Sequence, residues 1–261
     1  MLTTLDVQHD GAIVVVRLNR NEALNAISEE MVKDFGDMID QVSHMSETRV
    51  LVLTGSLQAF SAGADLKEIS RIGNTWNVME HFLDEFNEVL HRLERLPKIV
   101  VAAIAGVAYG GGLELALAAD FRILSPGTRL ALPEVRIGVM PGAGGTQRLP
   151  RLIGYQRAKY MALAGTPIDA TTALGWGLAD VVCHSSEDLM DATRAFCAPF
   201  LQNAPLSLGA IKEAVLAGRD ADLITGLSIE RHHLKDLYQS FDAREGIQAF
   251  NERRRPLFRG E

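Results

Sequence analysis

Residues 101–120 read VAAIAGVAYGGGLELALAAD, an apolar run that is interrupted by three consecutive glycines and then by a single acid, Glu114. The β-branched segment 99–104 predicts a buried strand. The apolar segment after the glycines predicts a helix that begins within the glycine triplet. The first N–H groups of a helix lack intrahelical partners and, together with the helix dipole, favour negative charge. Because glycines leave such N–H groups open to a ligand, the triplet predicts a backbone site for a negatively charged oxygen.

A second turn, FSAGADLKE (60–68), has the same character and follows a predicted strand at 50–55 across a short loop. Its small residues leave the backbone approachable, and Asp65 is placed to cap a following helix. If both turns follow strands of one sheet, they could supply two N–H donors to one oxygen. That arrangement is the requirement for stabilising an oxyanion.

Two glutamates accompany these turns. Glu114 lies one turn into its predicted helix, where an acid also suits the helix dipole. Glu134 stands in LPEVRIGVMPGAGGTQRLP (132–150), where it could equally be an ordinary acid after a turn proline. Two carboxylates that converge on a nearly dry site would take different protonation states, because each negative charge raises the pKa of the other. The glycine loop at 141–146 lacks the lysine of a phosphate-binding P-loop, so no nucleotide site is predicted there.

The bulk composition describes an ordinary globular chain of 261 residues, with 47% hydrophobic residues and a formal net charge of −7. This charge argues against generic attachment to nucleic acid or to an anionic membrane. The longest uncharged run, 99–113, is shorter than the ~18 residues of a membrane span, and the N-terminus lacks the pattern of a secretory signal. Because the two cysteines lack metal-type spacing and suit a reducing compartment, the sequence predicts a cytoplasmic protein without a metal centre.

Strand-like and helical segments alternate along the first part of the chain, which predicts crossover connections and an α/β core. Strands are predicted at 12–18, 50–55, 99–104, 121–124 and 129–132, and helices after the N-cap Ser28 and over 75–95. After about residue 185 the sequence is almost wholly helical. We therefore predict a core at 1–195 and a helical C-terminal region at 196–261.

Four stretches together resemble the crotonase (enoyl-CoA hydratase/isomerase) superfamily, in the order and at the separations of that family. They are AFSAGADLKE (59–68), AAIAGVAYGGGLELALAAD (102–120), LPEVRIGVMPGAGGTQRLPRLIG (132–154) and DAREGIQAFNERRRPLFRGE (242–261). The resemblance spans essentially the whole chain. It implies the α/β crotonase fold, a spiral of ββα units with a helical C-terminal region that forms trimers. The stretch DLITGLSIE (222–230) is similar to the branch that contains methylglutaconyl-CoA hydratase.

The resemblance also implies a role for particular residues. The backbone amides of Ala64 and Gly111 would hold the thioester oxygen of an acyl-CoA. Glu114 would act as base toward water and Glu134 as acid toward C2, so that water adds syn across a 2-trans-enoyl-CoA to give a 3-hydroxyacyl-CoA. Further substrate contacts are implied at Ala62, Asp65, Leu66, Lys67, Tyr109, Gly110, Gly142 and Arg253. Arg253 would meet the CoA phosphate of a neighbouring subunit, although its run ERRRP also suits a solvated surface.

The same resemblance implies a trimer or a dimer of trimers that needs no metal and no cofactor besides the CoA of its substrate. Neither membrane nor nucleic-acid partners are expected. Three other readings stay open: a Δ3,Δ2-enoyl-CoA isomerase, a hydratase of a branched, dicarboxylic or aromatic acyl-CoA, and an acyl-CoA- or RNA-binding scaffold without turnover. Tyr109 departs from the family, which has a small or aliphatic residue there, and it either packs or lines the acyl pocket.

Overall fold

The computed structural model describes residues 2–73 and 75–261 and places ten strands within them in two sheets. The large sheet contains, in spatial order, β1 (Leu5–Asp10), β2 (Ile13–Leu18), β3 (Val50–Thr54), β5 (Ile99–Ile104), β7 (Phe121–Leu124) and β10 (Val181–Val182). The small sheet contains β4 (Ala59–Ser61), β6 (Val107–Tyr109), β8 (Arg129–Ala131) and β9 (Ile168–Asp169). Neighbouring strands are parallel except for the pairs β1–β2 and β8–β9.

Eleven α-helices lie between and after these strands in the described residues. They are α1 (Glu29–Ser43), α2 (Leu66–Ile72), α3 (Trp76–Arg95), α4 (Gly111–Leu117), α5 (Gly145–Ile153), α6 (Tyr155–Ala164), α7 (Ala170–Trp176), α8 (Leu189–Leu201), α9 (Pro205–Gly218), α10 (Leu223–Tyr238) and α11 (Phe241–Glu252). Two predicted caps are confirmed, since Ser28 accepts from Met31 N and Asp65 accepts from Glu68 N. Over residues 2–73 and 75–261, none of these helices is long and apolar enough to cross a membrane.

Three successive ββα units build the centre of the molecule. In each unit, the first strand joins the large sheet, the second joins the small sheet, and a turn then leads into a helix. The units are β3–β4–α2, β5–β6–α4 and β7–β8–α5. Their strands lie side by side in both sheets, so the units follow one another as a spiral. The predicted α/β class and the predicted ββα repeat are therefore confirmed.

The central strands of the large sheet, β2, β3, β5 and β7, are buried on both faces, as expected for parallel strands covered by other elements, whereas the edge strand β1 is largely exposed. Leu51 and Leu53 belong to the main core that also includes α1 and α3, whereas Val50 and Val52 belong to a second cluster with residues of α8. Successive side chains of a strand point to opposite faces. This is why β3 reads as an uninterrupted apolar run in the sequence.

The small sheet corrects one expectation from the sequence. The two candidate turns do not follow directly on the strands at 50–54 and 99–104. Instead, the short strands β4 and β6 intervene and pair with each other in parallel. Both strands are only three residues long, and β6 lies within the alanine-rich sequence that precedes the triplet.

The C-terminal helices attach to the core through buried polar contacts. Lys212 on α9 donates to Asp120 Oδ2 at 2.8 Å and to the carbonyl oxygen of Lys98 at 3.0 Å. At the end of the chain, Asp242 accepts from the backbone N–H groups of Arg259 and Gly260. The predicted boundary at 195/196 falls within α8, which packs on the large sheet. The division into two parts stays a prediction.

Helix α4 lies directly against β4 at Gly112. A β-carbon at Gly112 would lie 2.4 Å from the carbonyl oxygen of Ser61, which is closer than any real β-carbon contact. The third glycine of the triplet is therefore required by the close approach of helix and strand.

We predict that Gly112→Ala destabilises the fold by about 1–3 kcal/mol, because the added methyl group must push α4 away from β4. Gly175→Ala is the matched control in another helix, since a β-carbon there meets no described atom within 4 Å. The control should gain about 0.5–1 kcal/mol from the helix preference of alanine. Urea unfolding measures both changes, and equal stability of the two variants would contradict the close contact.

Candidate active site

The parallel pairing of β4 with β6 brings the two candidate turns together. Because the strands run in the same direction, the turns leave the small sheet at the same edge. A β-carbon built on Gly111 would lie 3.5 Å from the backbone nitrogen of Ala64, and one on Gly63 would lie 3.4 Å from the backbone nitrogen of Gly111. The amides of Ala64 and Gly111, which the sequence singled out as a pair, are thus neighbours.

Local hydrogen bonding leaves both amides available. Ile27 donates to the carbonyl oxygen of Gly63 and accepts from Asp65 N, so the N–H of Ala64 between them points away from Ile27. Gly111 is the first residue of α4, where an N–H has no intrahelical partner. Within residues 2–73 and 75–261, neither N–H donates a hydrogen bond. Two adjacent backbone donors are therefore free to meet one oxygen.

The first glycine of the triplet shapes the entry to this site. Gly110 has φ 51° and ψ −124°, a conformation that a residue with a side chain rarely adopts. A β-carbon there would also lie 3.1 Å from Glu134 Oε1. The conformation of Gly110 thus turns the chain from β6 into α4 and leaves room for the second carboxylate.

Glu114 is buried, and its carboxylate is held by a different part of the chain. Its Oε1 accepts from Ala143 N at 2.9 Å and from Gly145 N at 2.8 Å. The side chain therefore does not cap its own helix, which was the alternative reading of the sequence. Burial raises the pKa of Glu114 to about 7; the Gly145 and Ala143 N–H groups and the charge of Arg148 oppose this rise, and the charge of Glu134 adds to it.

Glu134 stands in a short 3-10 turn (Glu134–Ile137) beside Gly110. Its Oε2 is buried, and none of the described residues donates a hydrogen bond to it. Burial also raises the pKa of this carboxyl group. A buried polar atom without a partner is costly, which marks Glu134 Oε2 as a candidate contact for a bound group.

Apolar side chains form the wall beside the two amides. A β-carbon on Gly111 would contact Phe86 Cε1 at 3.4 Å and Ile27 Cδ1 at 3.5 Å, and both side chains are fully buried. Leu83 lies one helical turn from Phe86 and faces Gly142. Few polar groups therefore compete with the amides and the carboxylates, which strengthens electrostatic interactions in the site.

The other predicted residues of the first turn differ in their structural contacts and in their exposure. Asp65 caps α2 and pairs with Arg20 at 3.0 Å, a partner that the sequence did not indicate. Ala62 is half-buried and donates its N–H to the carbonyl oxygen of Leu24. Leu66 and Lys67 are exposed at the start of α2. Contact of these residues with a substrate stays a prediction.

Three further predicted contacts lie in different surroundings. Tyr109 is half-buried at the end of β6, and its role stays open. Gly142 is exposed, and its carbonyl oxygen accepts from Asn87 at 3.2 Å. Arg253 is exposed directly after α11, and the ion pairs of the described chain do not include it. Its neighbour Arg254, in contrast, pairs with Glu245.

The glycine loop at 141–146 has a function that the sequence did not reveal. The sequence predicted no nucleotide site there, and in the structure the loop binds the carboxyl group of Glu114. Gly144 has φ 94°, so the N–H groups on either side of it converge on one oxygen, as in other backbone anion sites. Among residues 2–73 and 75–261, no cluster of three or more His, Cys, Asp or Glu is arranged to hold a metal ion.

Comparison with known proteins agrees with this architecture. The family described as enoyl-CoA hydratase/isomerase matches residues 8–261. The enoyl-CoA isomerase/hydratase fer4 of Mycosarcoma maydis is 40% identical over 253 residues, covering 94% of this chain and 91% of that protein. Human mitochondrial methylglutaconyl-CoA hydratase is 33% identical over 97% of this chain and 76% of its own length. The crystal structure of an enoyl-CoA hydratase from Bacillus anthracis superimposes with a TM-score of 0.94, at 37% identity over 99% of this chain and 100% of that one.

The chain therefore belongs to the enoyl-CoA hydratase/isomerase family and has the crotonase fold. The predicted resemblance, including its proximity to the methylglutaconyl-CoA hydratases, is confirmed.

The raised pKa of Glu114 predicts a particular pH dependence of stability. In the unfolded chain the carboxyl group ionises near its ordinary value of 4.5, whereas in the folded chain it ionises near 7. Between these values only the unfolded state has lost its proton, so stability falls as pH rises and stays low above pH 7. Glu114→Gln removes this loss. Between pH 4.5 and pH 7, its free energy of unfolding should therefore rise by about 3 kcal/mol relative to that of wild type.

Urea unfolding at several pH values, at one protein concentration, measures this difference. Exposed Glu47→Gln is the control and should follow wild type throughout. A constant difference between Glu114→Gln and wild type across this range would show that burial of the carboxylate carries no such cost.

Proposed function

We propose that the protein is an enoyl-CoA hydratase that adds water syn across a 2-trans-enoyl-CoA to give a 3-hydroxyacyl-CoA. The observation that carries the proposal is the meeting of two unpartnered backbone amides with the buried carboxyl group of Glu114 and the half-buried one of Glu134, both of raised pKa. A conjugated thioester accepts water at C3 only if the negative charge that develops on its carbonyl oxygen is stabilised. Ala64 N–H and Gly111 N–H would bind that oxygen, and one donor of this kind contributes about 10²–10³ in rate.

The two acids would then divide the proton transfers. Glu114 has a pKa near 7, so a substantial fraction is ionised at neutral pH and can remove a proton from water. Two N–H donors hold its Oε1, which fixes the direction of the carboxylate. Glu134, with its unpartnered Oε2, would deliver a proton to C2. Neighbouring acids titrate as a pair. We therefore assign the two proton transfers to the pair, and the division between Glu114 and Glu134 is the secondary part of the proposal.

The reaction as proposed needs neither a metal nor a redox cofactor, because water, base, acid and oxyanion donors account for each bond that changes. Coenzyme A enters as part of the substrate. The cytoplasmic location expected from the sequence is part of the same proposal.

We also propose that the chain forms a homotrimer or a dimer of trimers through its C-terminal helices. Large apolar side chains of α9, α10 and α11 are exposed in the single chain, including Val215, Leu223, Ile224, Tyr238 and Phe250. An exposed apolar surface of this extent is typical of a protein interface. The exposed Arg253 at the end of α11 would then be available to the CoA phosphate of a neighbouring subunit.

Two related activities use the same groups. The relative fer4 is named as an isomerase/hydratase, and a Δ3,Δ2-isomerase would use the two acids to move a proton between carbons on the same oxyanion donors. The relationship to methylglutaconyl-CoA hydratase makes a branched dicarboxylic acyl-CoA a candidate substrate. A panel of 2-enoyl-, 3-enoyl- and methylglutaconyl-CoA thioesters, assayed side by side, separates these activities. Salt-dependent RNA binding without turnover of any thioester would instead support the hypothesis that the protein is a binding scaffold without catalytic activity.

Hydratase activity predicts that the ultraviolet absorbance of the conjugated thioester disappears when crotonyl-CoA is added. Glu114→Gln and Glu134→Gln should each lower kcat by about 10²–10⁴, because each removes a proton-transfer group. Affinity for the unreactive butyryl-CoA, measured by calorimetry, should stay near that of wild type. Glu47→Gln is again the control, and a near-normal rate in either site variant would remove that residue from the mechanism.

Assembly predicts a mass of three or six times 28.5 kDa in analytical ultracentrifugation. Ile224→Glu should weaken association, because it places a charge on the apolar surface of α10. Leu57→Glu changes a comparably exposed apolar residue outside the C-terminal helices and should leave the mass unchanged. A wild-type chain that sediments as a monomer would contradict the proposed assembly.

A further inference from the structure

Arg148 on α5 lies behind the loop that binds Glu114. Its guanidinium donates to the carbonyl oxygen of Ala143 at 3.2 Å and to Glu94 Oε2 at 3.3 Å. Both side chains of this ion pair are only 15% exposed. A largely buried pair has a fixed geometry, in contrast to a surface pair that solvent screens.

The bond to Ala143 falls on the middle one of three consecutive peptide groups. The peptide before it donates Ala143 N–H to Glu114, and the peptide after it donates Gly145 N–H to the same oxygen. The carbonyl between them accepts from Arg148 and therefore points the other way. The guanidinium thus holds the middle peptide group in the orientation that directs the N–H groups of the two flanking peptide groups toward Glu114.

Gly144 leaves the space that the side chain of Arg148 needs. A β-carbon at Gly144 would lie 2.2 Å from one terminal nitrogen of Arg148, so the side chain occupies the space that glycine leaves. Glu94 in turn accepts from Arg219, the residue that follows α9, at 3.2 Å. Arg148 is therefore anchored on its outer side by a carboxylate that is itself held in place.

We propose that Arg148 is a positioning residue for Glu114, which it orients through the Ala143 carbonyl and supports with its positive charge. The role rests on the proposed function only in so far as Glu114 is the base of the reaction. The contacts themselves are independent of the reaction.

Few charged or titratable groups stand around Glu114. On the elements that contact α4 they are Arg148 and Arg151 on α5, Tyr109 on β6 and Arg122 on β7, which donates to the carbonyl oxygen of Ala116; Glu134 lies nearby in the 3-10 turn. Arg148 lowers the pKa of Glu114, and Glu134 raises it. Arg151 is directed elsewhere, since it pairs with Asp220 at 3.3 Å on the surface. Of the two arginines on α5, only Arg148 touches the loop.

The test is a ¹³C NMR titration of the Glu114 carboxyl carbon in the full chain, with Glu114→Gln to assign the signal. Arg148→Met should lower the acid ionisation constant of Glu114 about tenfold, because a neighbouring positive charge is lost. Arg148→Gln, which keeps a polar side chain, serves if the methionine variant does not fold, and should act in the same direction. Arg148→Lys keeps the charge and should restore most of the ionisation constant.

Turnover provides the second measurement. Arg148→Met should lower kcat by about ten- to a hundredfold with KM unchanged and move the acid limb of the pH profile upward. Arg148→Lys should restore kcat only in part, because an ammonium group lacks the fork that reaches Ala143 and Glu94 together. Arg151→Met, on the same helix, is the control and should match wild type in both measurements.

An unchanged titration of Glu114 in the Arg148 variants would overturn the proposal, as would a loss of kcat without any change in ionisation. An altered titration in a protein that hydrates no enoyl-CoA would support the positioning role and reject only the proposed reaction.

Discussion

The contact between Gly112 and the carbonyl group of Ser61 is the constraint on which the rest of the structure depends. With no side chain between them, α4 rests on the backbone of β4, and this fixes the distance between two turns that are far apart in the sequence. The same contact places the start of α4 beside Ala64 and carries Glu114 into the interior. The positions of the Ala64 and Gly111 amides are therefore set by backbone packing and not by mobile side chains.

The electrostatics of the site follow from this burial. Two acids stand beside apolar side chains, and the folded chain bears the cost of withdrawing them from water. The cost of burying the charge of Glu114 is offset by hydrogen bonds from two backbone N–H groups and by the positive charge of Arg148. Glu134, in contrast, has one buried oxygen without a donor among the described residues. Sites of this kind hold their groups ready for substrate at the expense of stability. The difference between the two carboxylates gives each a distinct chemical environment within one small site.

Much of the fold could be predicted from local patterns. Four strands of the large sheet (β2, β3, β5 and β7), the caps at Ser28 and Asp65, and the start of α4 in the glycine triplet all depend on neighbouring residues and were correct. The strands β1 and β10 were not predicted. The short strands β4 and β6 were missed, although β8, which is equally short, was predicted from its sequence at 129–132. The support of Glu114 was equally hidden, because its donors lie 29 and 31 residues further along the chain and Glu94 lies 54 residues before Arg148. Contacts over such separations are set by the packing of α5 on α4, which no local pattern encodes.

The three ββα units have a consequence for how such a protein can diversify. The turn of the first unit carries Ala64, that of the second carries Gly111 and leads to Glu114, and that of the third carries Glu134 and the loop around Gly144. Each unit thus contributes a separate component of the site. Substitution of Glu134 alone would remove one acid and leave in place the amides of Ala64 and Gly111 and the loop that holds Glu114. The architecture therefore places the two free backbone amides in the first two turns, apart from the turn that carries Glu134, so a sequence change at Glu134 need not alter either amide.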